Sequence, residues 1–228
     1  DSINLFDEQQ YNFYKNQPIV KEAIQFTRGR RLDTAVNKPK TLWISLTDFT
    51  HKNRLVIPFY DVNNKIVHYQ TRGIFEEDLK ERPKYLSKMN SDKTLFNINN
   101  INVNCDDIFI LEGPIDSFFL KNSVAVAGIQ ENSDNTFSSK QLDQIRRYSI
   151  FKKVWVLDSQ WADTASMKKT QRLIELGNNV FIWPKEIGKN FKDLNDLCIK
   201  YKLDEISPEF ILNNTYSGLK AKLKLQQP

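Results

Sequence analysis

A chain of 228 residues with 40% hydrophobic and 12% aromatic side chains can form one large domain or one and a half, and no apolar run approaches the roughly 20 residues of a membrane span. Two cysteines and two histidines exclude a disulfide framework and a four-ligand zinc cluster, and no signal peptide is evident. The net charge of +5 is modest and uneven: residues 1–100 hold 16 Lys and Arg against 12 acids, and the remainder 17 against 16.

Along the chain, residues 9–14 and 19–28 have apolar positions near helical spacing, with Pro18 interrupting them. The densest basic cluster follows: Arg28, Arg30, Arg31, Lys38 and Lys40, opposed locally only by Asp33. Such a patch attracts a phosphate backbone, with a solvated face as the plainer alternative. Residues 40–75 carry β-branched runs around a hairpin turn at Asp61-Val-Asn-Asn-Lys65. His68 is expected on the surface of that hairpin and His51 in a turn, neither of them catalytic. Residues 76–104 are charged and Asn-rich, a linker with short strands around Tyr85 and Leu95. Cys105 and Cys198 are expected to be packing residues.

The chain then changes character. Ile108-Phe-Ile-Leu-Glu-Gly-Pro-Ile-Asp116 is an apolar run ending in a carboxylate, a Gly-Pro break and a second carboxylate. Four apolar residues in a row predict a strand buried on both faces. Glu112 then stands at its C-terminal end, where open α/β sheets place their ligand sites. Asp116 falls in the first turn of a helix expected over residues 115–122. The pattern recurs in Val154-Trp-Val-Leu-Asp158, then in a strand over 179–184 that leads to Phe191-Lys-Asp-Leu-Asn-Asp196. A helix over 165–176, stopped by Gly177, separates these two strands. Alternating strands and helices predict a parallel sheet with one acidic rim. Converging like charges repel, but a magnesium ion held by a few carboxylates, water and substrate phosphates would neutralise them. Ser207-Pro-Glu opens a last amphipathic helix and tail over 207–224.

Taken in order, Glu112-Gly-Pro-Ile-Asp116, Leu157-Asp158 and Lys192-Asp-Leu-Asn-Asp196 resemble the Toprim domain of primases, topoisomerases and some nucleases. Upstream, the run from Arg54 to Gly73, then Lys84-Tyr-Leu86 and Thr94-Leu-Phe96, resembles the segment that precedes this domain in bacterial-type primases. Ile182-Trp-Pro184 and the tail Asn214-Thr-Tyr-Ser-Gly-Leu-Lys-Ala-Lys-Leu223 look most like the primase subunits of T-even-type bacteriophages. The resemblance runs from about residue 20 to the end of the chain.

It implies an α/β fold: a Toprim-like parallel sheet flanked by helices (105–200), preceded by a smaller basic α+β subdomain (1–104) and followed by a C-terminal helix and tail (201–228). It implies a DNA primase core that makes short RNA primers on single-stranded DNA by metal-dependent nucleotidyl transfer. Glu112 and Asp158 would be catalytic, and Glu112, Asp158, Asp193 and Asp196 would hold Mg2+ or Mn2+, with no structural zinc in this chain. Arg72, Lys84, Lys192, Arg28, Arg30 and Arg31 would bind nucleic acid or nucleotide. The implied partners are a single-stranded DNA template, ribonucleoside triphosphates and a replicative helicase, with no membrane, in the cytoplasm of the cell or of a phage's host.

Two departures stand out. Gln160 occupies a position where the family usually has a second acid two residues after the aspartate, which implies weaker cation binding and reduced activity. The zinc-binding domain usual in such primases is also missing, so it was removed, is supplied by another protein, or is dispensed with; the chain begins at Asp1 rather than Met. The alternatives to a primase are a Toprim nuclease and a catalytically weakened nucleic-acid-binding accessory protein.

Overall fold

The computed structural model describes residues 1–128 and 137–226. Two five-stranded sheets organise it. The first is antiparallel throughout and follows chain order: β1 (Ser2–Asn4), β2 (Trp43–Ser45), β3 (Arg54–Tyr60), β4 (Ile66–Gly73) and β5 (Tyr85–Ser87). Helices α1 (Glu8–Tyr14) and α2 (Pro18–Gly29) lie between its first two strands, and α3 (Glu76–Glu81) before its last. Pro18 does not merely interrupt: it is the first residue of α2, where a missing N–H costs nothing.

The second sheet has the order β10-β9-β8-β6-β7, built from β6 (Asp107–Leu111), β7 (Ser123–Ala125), β8 (Lys152–Val156), β9 (Asn179–Phe181) and β10 (Thr215–Tyr216). Four strands are parallel, and β10 caps one edge antiparallel to β9. Its helices are α4 (Pro114–Ser117), α5 (Ser139–Arg146), α6 (Thr164–Glu175), α7 (Lys185–Gly188), α8 (Leu194–Tyr201), α9 (Pro208–Asn213) and α10 (Gly218–Gln226). Alternate residues of its strands enter different cores. Phe109, Leu111, Val154, Val156 and Phe181 pack with α4, α8 and α9. Ile108, Ile110, Trp155 and Val180 pack with α5, α6 and α10. Burial on both faces explains the continuous apolar runs of these strands. The first of these cores also takes in Leu55, Ile57 and Phe59 of β3, so the two sheets share it.

Several expectations are corrected. The helix over 115–122 stops at Ser117, because Phe118, Phe119 and Leu120 are all buried and the chain must turn, through Asn122 at φ 54°, into β7. The single tail helix is two helices, α9 and α10, parted where Thr215 and Tyr216 pair with β9. His68 is not on a surface: it is 1% exposed, its ring stands edge-on to Phe59 with centroids 5.0 Å apart, and Nδ1 meets Ser91 Oγ at 2.6 Å. The 88–91 turn covers this face of β4, and burial, with Lys88 and Lys93 adding to it, lowers the His68 pKa to about 4. His51 is buried as well, with Nδ1 2.9 Å from Thr71 Oγ1. Among the described residues, no helix is long and apolar enough to cross a membrane.

Candidate active site

β6 and β8 are adjacent and parallel, with Leu111 in register with Val156. Glu112 follows the end of one strand and Asp158 lies two residues past the end of the other, so both emerge at the same edge of the sheet. Main-chain links bring the third acid to them. Ser159 N–H donates to the Lys192 carbonyl at 2.7 Å, and Ser159 Oγ–H donates to the Gly188 carbonyl at 2.6 Å. The segment between β9 and α8 is thereby fastened to the end of β8. Asp193 caps α8 by accepting from the Asp196 N–H at 2.8 Å. Asp116 Oδ1 accepts from the Asn195 N–H at 2.9 Å.

Glu112, Asp116, Asp158 and Asp193 line a cavity of about 210 Å³. Arg30, Arg72, Lys84 and Lys192 line it too, with Gln70 and Tyr85 among the neutral residues. Lys84 and Tyr85 come from the edge of β5, Arg72 from β4, and Arg30 from just past α2. Of the expected basic residues, Arg28 and Arg31 are not in this lining. Arg28 lies over the Tyr11 ring at 5.3 Å, and Arg31 pairs with Asp204 at 2.5 Å and bonds the Leu203 carbonyl. Asp196 also stands outside the lining, 3.9 Å from Arg30.

Electrostatics follow from this crowding. Burial raises the Asp158 pKa to about 7, with Asp193 and then Glu112 adding repulsion. Asp116 is raised well above the ordinary carboxylate range by burial, then by Asp193 and Asp158, and Asp196 is raised by burial and Asp193. Among the basic residues of the lining, burial lowers the pKa of Arg72 and of Lys84, the latter helped by Arg72. Burial also raises the Tyr85 hydroxyl to about 12. Arg72 sits 4.7 Å over the Phe26 ring and donates to the Gly73 carbonyl, while its buried Nε has no partner within the protein. An orphaned cationic donor of this kind is a ready phosphate ligand.

Gln160 lies elsewhere. It is 3% exposed, its Oε1 accepts from the Trp183 N–H at 3.2 Å, and its Nε2 donates to Thr170 Oγ1 and the Phe181 carbonyl. Its side chain ties β9 to α6 and does not line the cavity. Two partners of the site were not singled out in the sequence: Lys169, which pairs with Glu112 at 2.6 Å, and Asn195. Lys169 sits in an ordinary amphipathic helix pattern, and Asn195 is a neutral residue inside an acidic motif, so neither carried a signal.

No family model matches the chain. The DNA primase of Enterobacteria phage T4 is 30% identical over 175 residues, which cover 76% of this chain and 47% of that protein. The DNA primase of Mycoplasma genitalium is 29% identical over 174 residues, 69% of this chain and 26% of that protein. The chain thus spans less than half the length of these curated relatives. Among solved structures, the RNA polymerase domain of Mycobacterium tuberculosis primase DnaG, in complex with a double-stranded DNA oligomer with an overhang, superposes with a TM-score of 0.66 at 14% identity, over 93% of this chain and 79% of that one. The fold is that of a primase catalytic core. A DnaG primase catalytic domain bound to single-stranded DNA agrees, with a TM-score of 0.54 at 14% identity, over 84% of this chain and 74% of that one. In this primase-like frame the acidic wall belongs to the parallel sheet and most of the basic wall to the antiparallel one.

The acidic donors are hard carboxylate oxygens; burial first, and then their mutual repulsion, raises Asp116 and Asp158, and a divalent cation would relieve both. Among the described residues, no three such side chains stand as a ready-made metal cluster. A cation held there would need water and substrate oxygens besides these carboxylates.

Proposed function

We propose that this chain is the catalytic core of a DNA primase, which joins ribonucleoside triphosphates into short primers on a single-stranded DNA template. The observation that carries this is one cavity lined by four carboxylates and four cations together. A nucleotidyl transfer needs both, because a 3′-hydroxyl attacks an α-phosphorus while negative charge must be held on the triphosphate. Arg30, Arg72, Lys84 and Lys192 would pair with triphosphate or template phosphates. Glu112, Asp158 and Asp193 would hold Mg2+ or Mn2+, which neutralises charge on the reacting phosphate and the leaving pyrophosphate. Asp196, outside the cavity, would tune Arg30 rather than ligate.

In this reading residues 105–200 act as a Toprim unit that supplies the acids. Residues 1–104 supply Arg30, Arg72 and Lys84, and residues 201–228 close the edge of the sheet. Gln160 is structural, and the site is complete without an acid there. A replicative helicase is the natural partner for delivering single-stranded template.

Incubation with single-stranded DNA, labelled ribonucleotides and magnesium or manganese tests the proposal. Short oligoribonucleotides are expected. Template cleavage instead would mean a nuclease, and binding without either product would mean an accessory protein.

A further inference from the structure

Asn195 is 1% exposed in the first turn of α8, and both polar ends of its side chain are committed to Arg30. Its Nδ2 donates to the main-chain oxygen of Arg30 at 2.9 Å. Its Oδ1 accepts from Arg30 Nε at 2.8 Å. Its main-chain N–H holds Asp116 Oδ1, as described above. One buried amide therefore grips a residue 165 positions away by backbone and side chain together, while its own backbone holds the opposing acid.

A guanidinium has five N–H donors in a fixed plane. With Nε bound to Asn195, one terminal nitrogen lies 3.9 Å from the Asp196 carboxylate, and Phe26 lies beneath the plane at 5.6 Å. The other terminal nitrogen is left for an anion in the cavity. We infer that Asn195 is a positioning residue for nucleotide binding: it fixes the Arg30 guanidinium so that it meets the incoming triphosphate. This rests on the nucleotidyl-transfer reading.

The residue type is specific to the task. Ser lacks the reach to engage both Arg30 groups, and the added methylene of Gln moves the amide off the two Arg30 groups it now meets. Asp keeps the acceptor for Nε but turns a second carboxylate oxygen toward the Arg30 carbonyl, replacing a hydrogen bond with repulsion.

The test measures binding of a fluorescent ribonucleoside triphosphate with magnesium to wild type, Asn195→Ala, Arg30→Ala and the double variant, with thermal midpoints alongside. Asn195→Ala should bind about tenfold more weakly, on the scale of one hydrogen bond to a charged group. Arg30→Ala should lose at least as much. The double variant should bind no more weakly than Arg30→Ala, because Asn195 acts through Arg30. Additive losses, or Asn195→Ala binding within about twofold of wild type, would overturn the inference. If Asn195→Ala does not fold, Asn195→Asp decides: binding between wild type and Arg30→Ala supports it, and wild-type binding overturns it. In primer synthesis the defect should fall on KM for the nucleotide, and a pure kcat loss would also overturn it. A wild type that binds no nucleotide defeats the parent reading and this inference together. A wild type that binds and polymerises beside an equally able Asn195→Ala defeats this inference alone.

Discussion

Lys169 Nζ lies 2.6 Å from Glu112 Oε1, so the carboxylate at the end of β6 already has a counter-charge from α6. An ammonium in that position competes with any cation that Glu112 would ligate. Lys169→Met should lower the magnesium concentration needed for half-saturation, as measured by calorimetric or fluorescence titration. The metal-free protein should lose about 1 kcal/mol or less, the ordinary worth of a partly exposed pair. A higher magnesium requirement would show that Lys169 serves the substrate and not Glu112.

Removing charge from the acidic wall should separate activity from stability. Asp158→Asn should abolish primer synthesis while raising the thermal midpoint of the metal-free protein, since burial disfavours the native carboxylate and Asp193 and Glu112 repel it. Glu112→Gln should also abolish synthesis but give no such gain, because it forfeits the Lys169 pair. Intact synthesis in either variant would remove that residue from the catalytic set.

The same crowding sets a pH dependence. An acid whose pKa rises from the ordinary 3.8 to about 7 on folding binds its proton more tightly in the folded state. Its contribution to stability is full below 3.8 and is lost as pH rises through about 7. Asp116 shifts in the same direction. In chelator, the thermal midpoint should therefore fall as pH rises from about 4 to about 7, with a shallower slope in Asp158→Asn. Adding magnesium at pH 7 should release protons, which unbuffered calorimetry would detect.

Gln160→Asp is expected to harm the fold without helping the metal. The shorter acid loses both donors and sets a charge against the Phe181 carbonyl in a site that is 3% exposed. A loss of about 1–3 kcal/mol or more in denaturant unfolding should accompany an unchanged magnesium requirement. A lowered requirement would mean that position 160 reaches the cavity after all.

Gly188 is the last residue of α7 and receives the Ser159 hydroxyl that fastens the end of β8. A Cβ there would stand 2.5 Å from Trp161 Cδ1, 2.6 Å from Ser159 Oγ and 2.9 Å from Trp183 Cβ. Gly188→Ala should cost about 1–3 kcal/mol by overpacking and, by displacing Ser159, reduce synthesis beyond what the stability loss explains. Full activity at a temperature where the variant is folded would show that this fastening does not set the position of Asp158.

The acids that line the cavity were legible because each strand announces its end: an apolar run is followed by Glu112 or Asp158, and the third strand leads into the Lys192-Asp-Leu-Asn-Asp196 motif that holds Asp193. The parallel sheet was legible for the same reason, since strands buried on both faces cannot alternate. What escaped was whatever depends on residues distant in sequence. Arg30 could not be told from Arg28 and Arg31, because only the contact with Asn195 turns one of the three into the cavity. His68 looked like an exposed hairpin residue, since the 88–91 turn that buries it has no pattern of its own. Gln160 looked like a defective ligand because spacing along a chain does not reveal which way a side chain turns at a strand end.

The aromatic series Phe59, Phe96 and Phe118, with centroids 5.2 and 5.6 Å apart, runs from the antiparallel sheet to the residue just past the helix that follows Glu112. These rings belong to one close-packed interior. The cations and carboxylates above it are thus mounted on a common foundation and not on two jaws. Swinging the walls apart would mean opening that interior, so the gap between opposite charges is set before anything enters. Such a cleft selects by fixed reach: a ligand is accepted when its charges span the gap, and the adjustment needed to pass it along must come from side chains and loops at the rim.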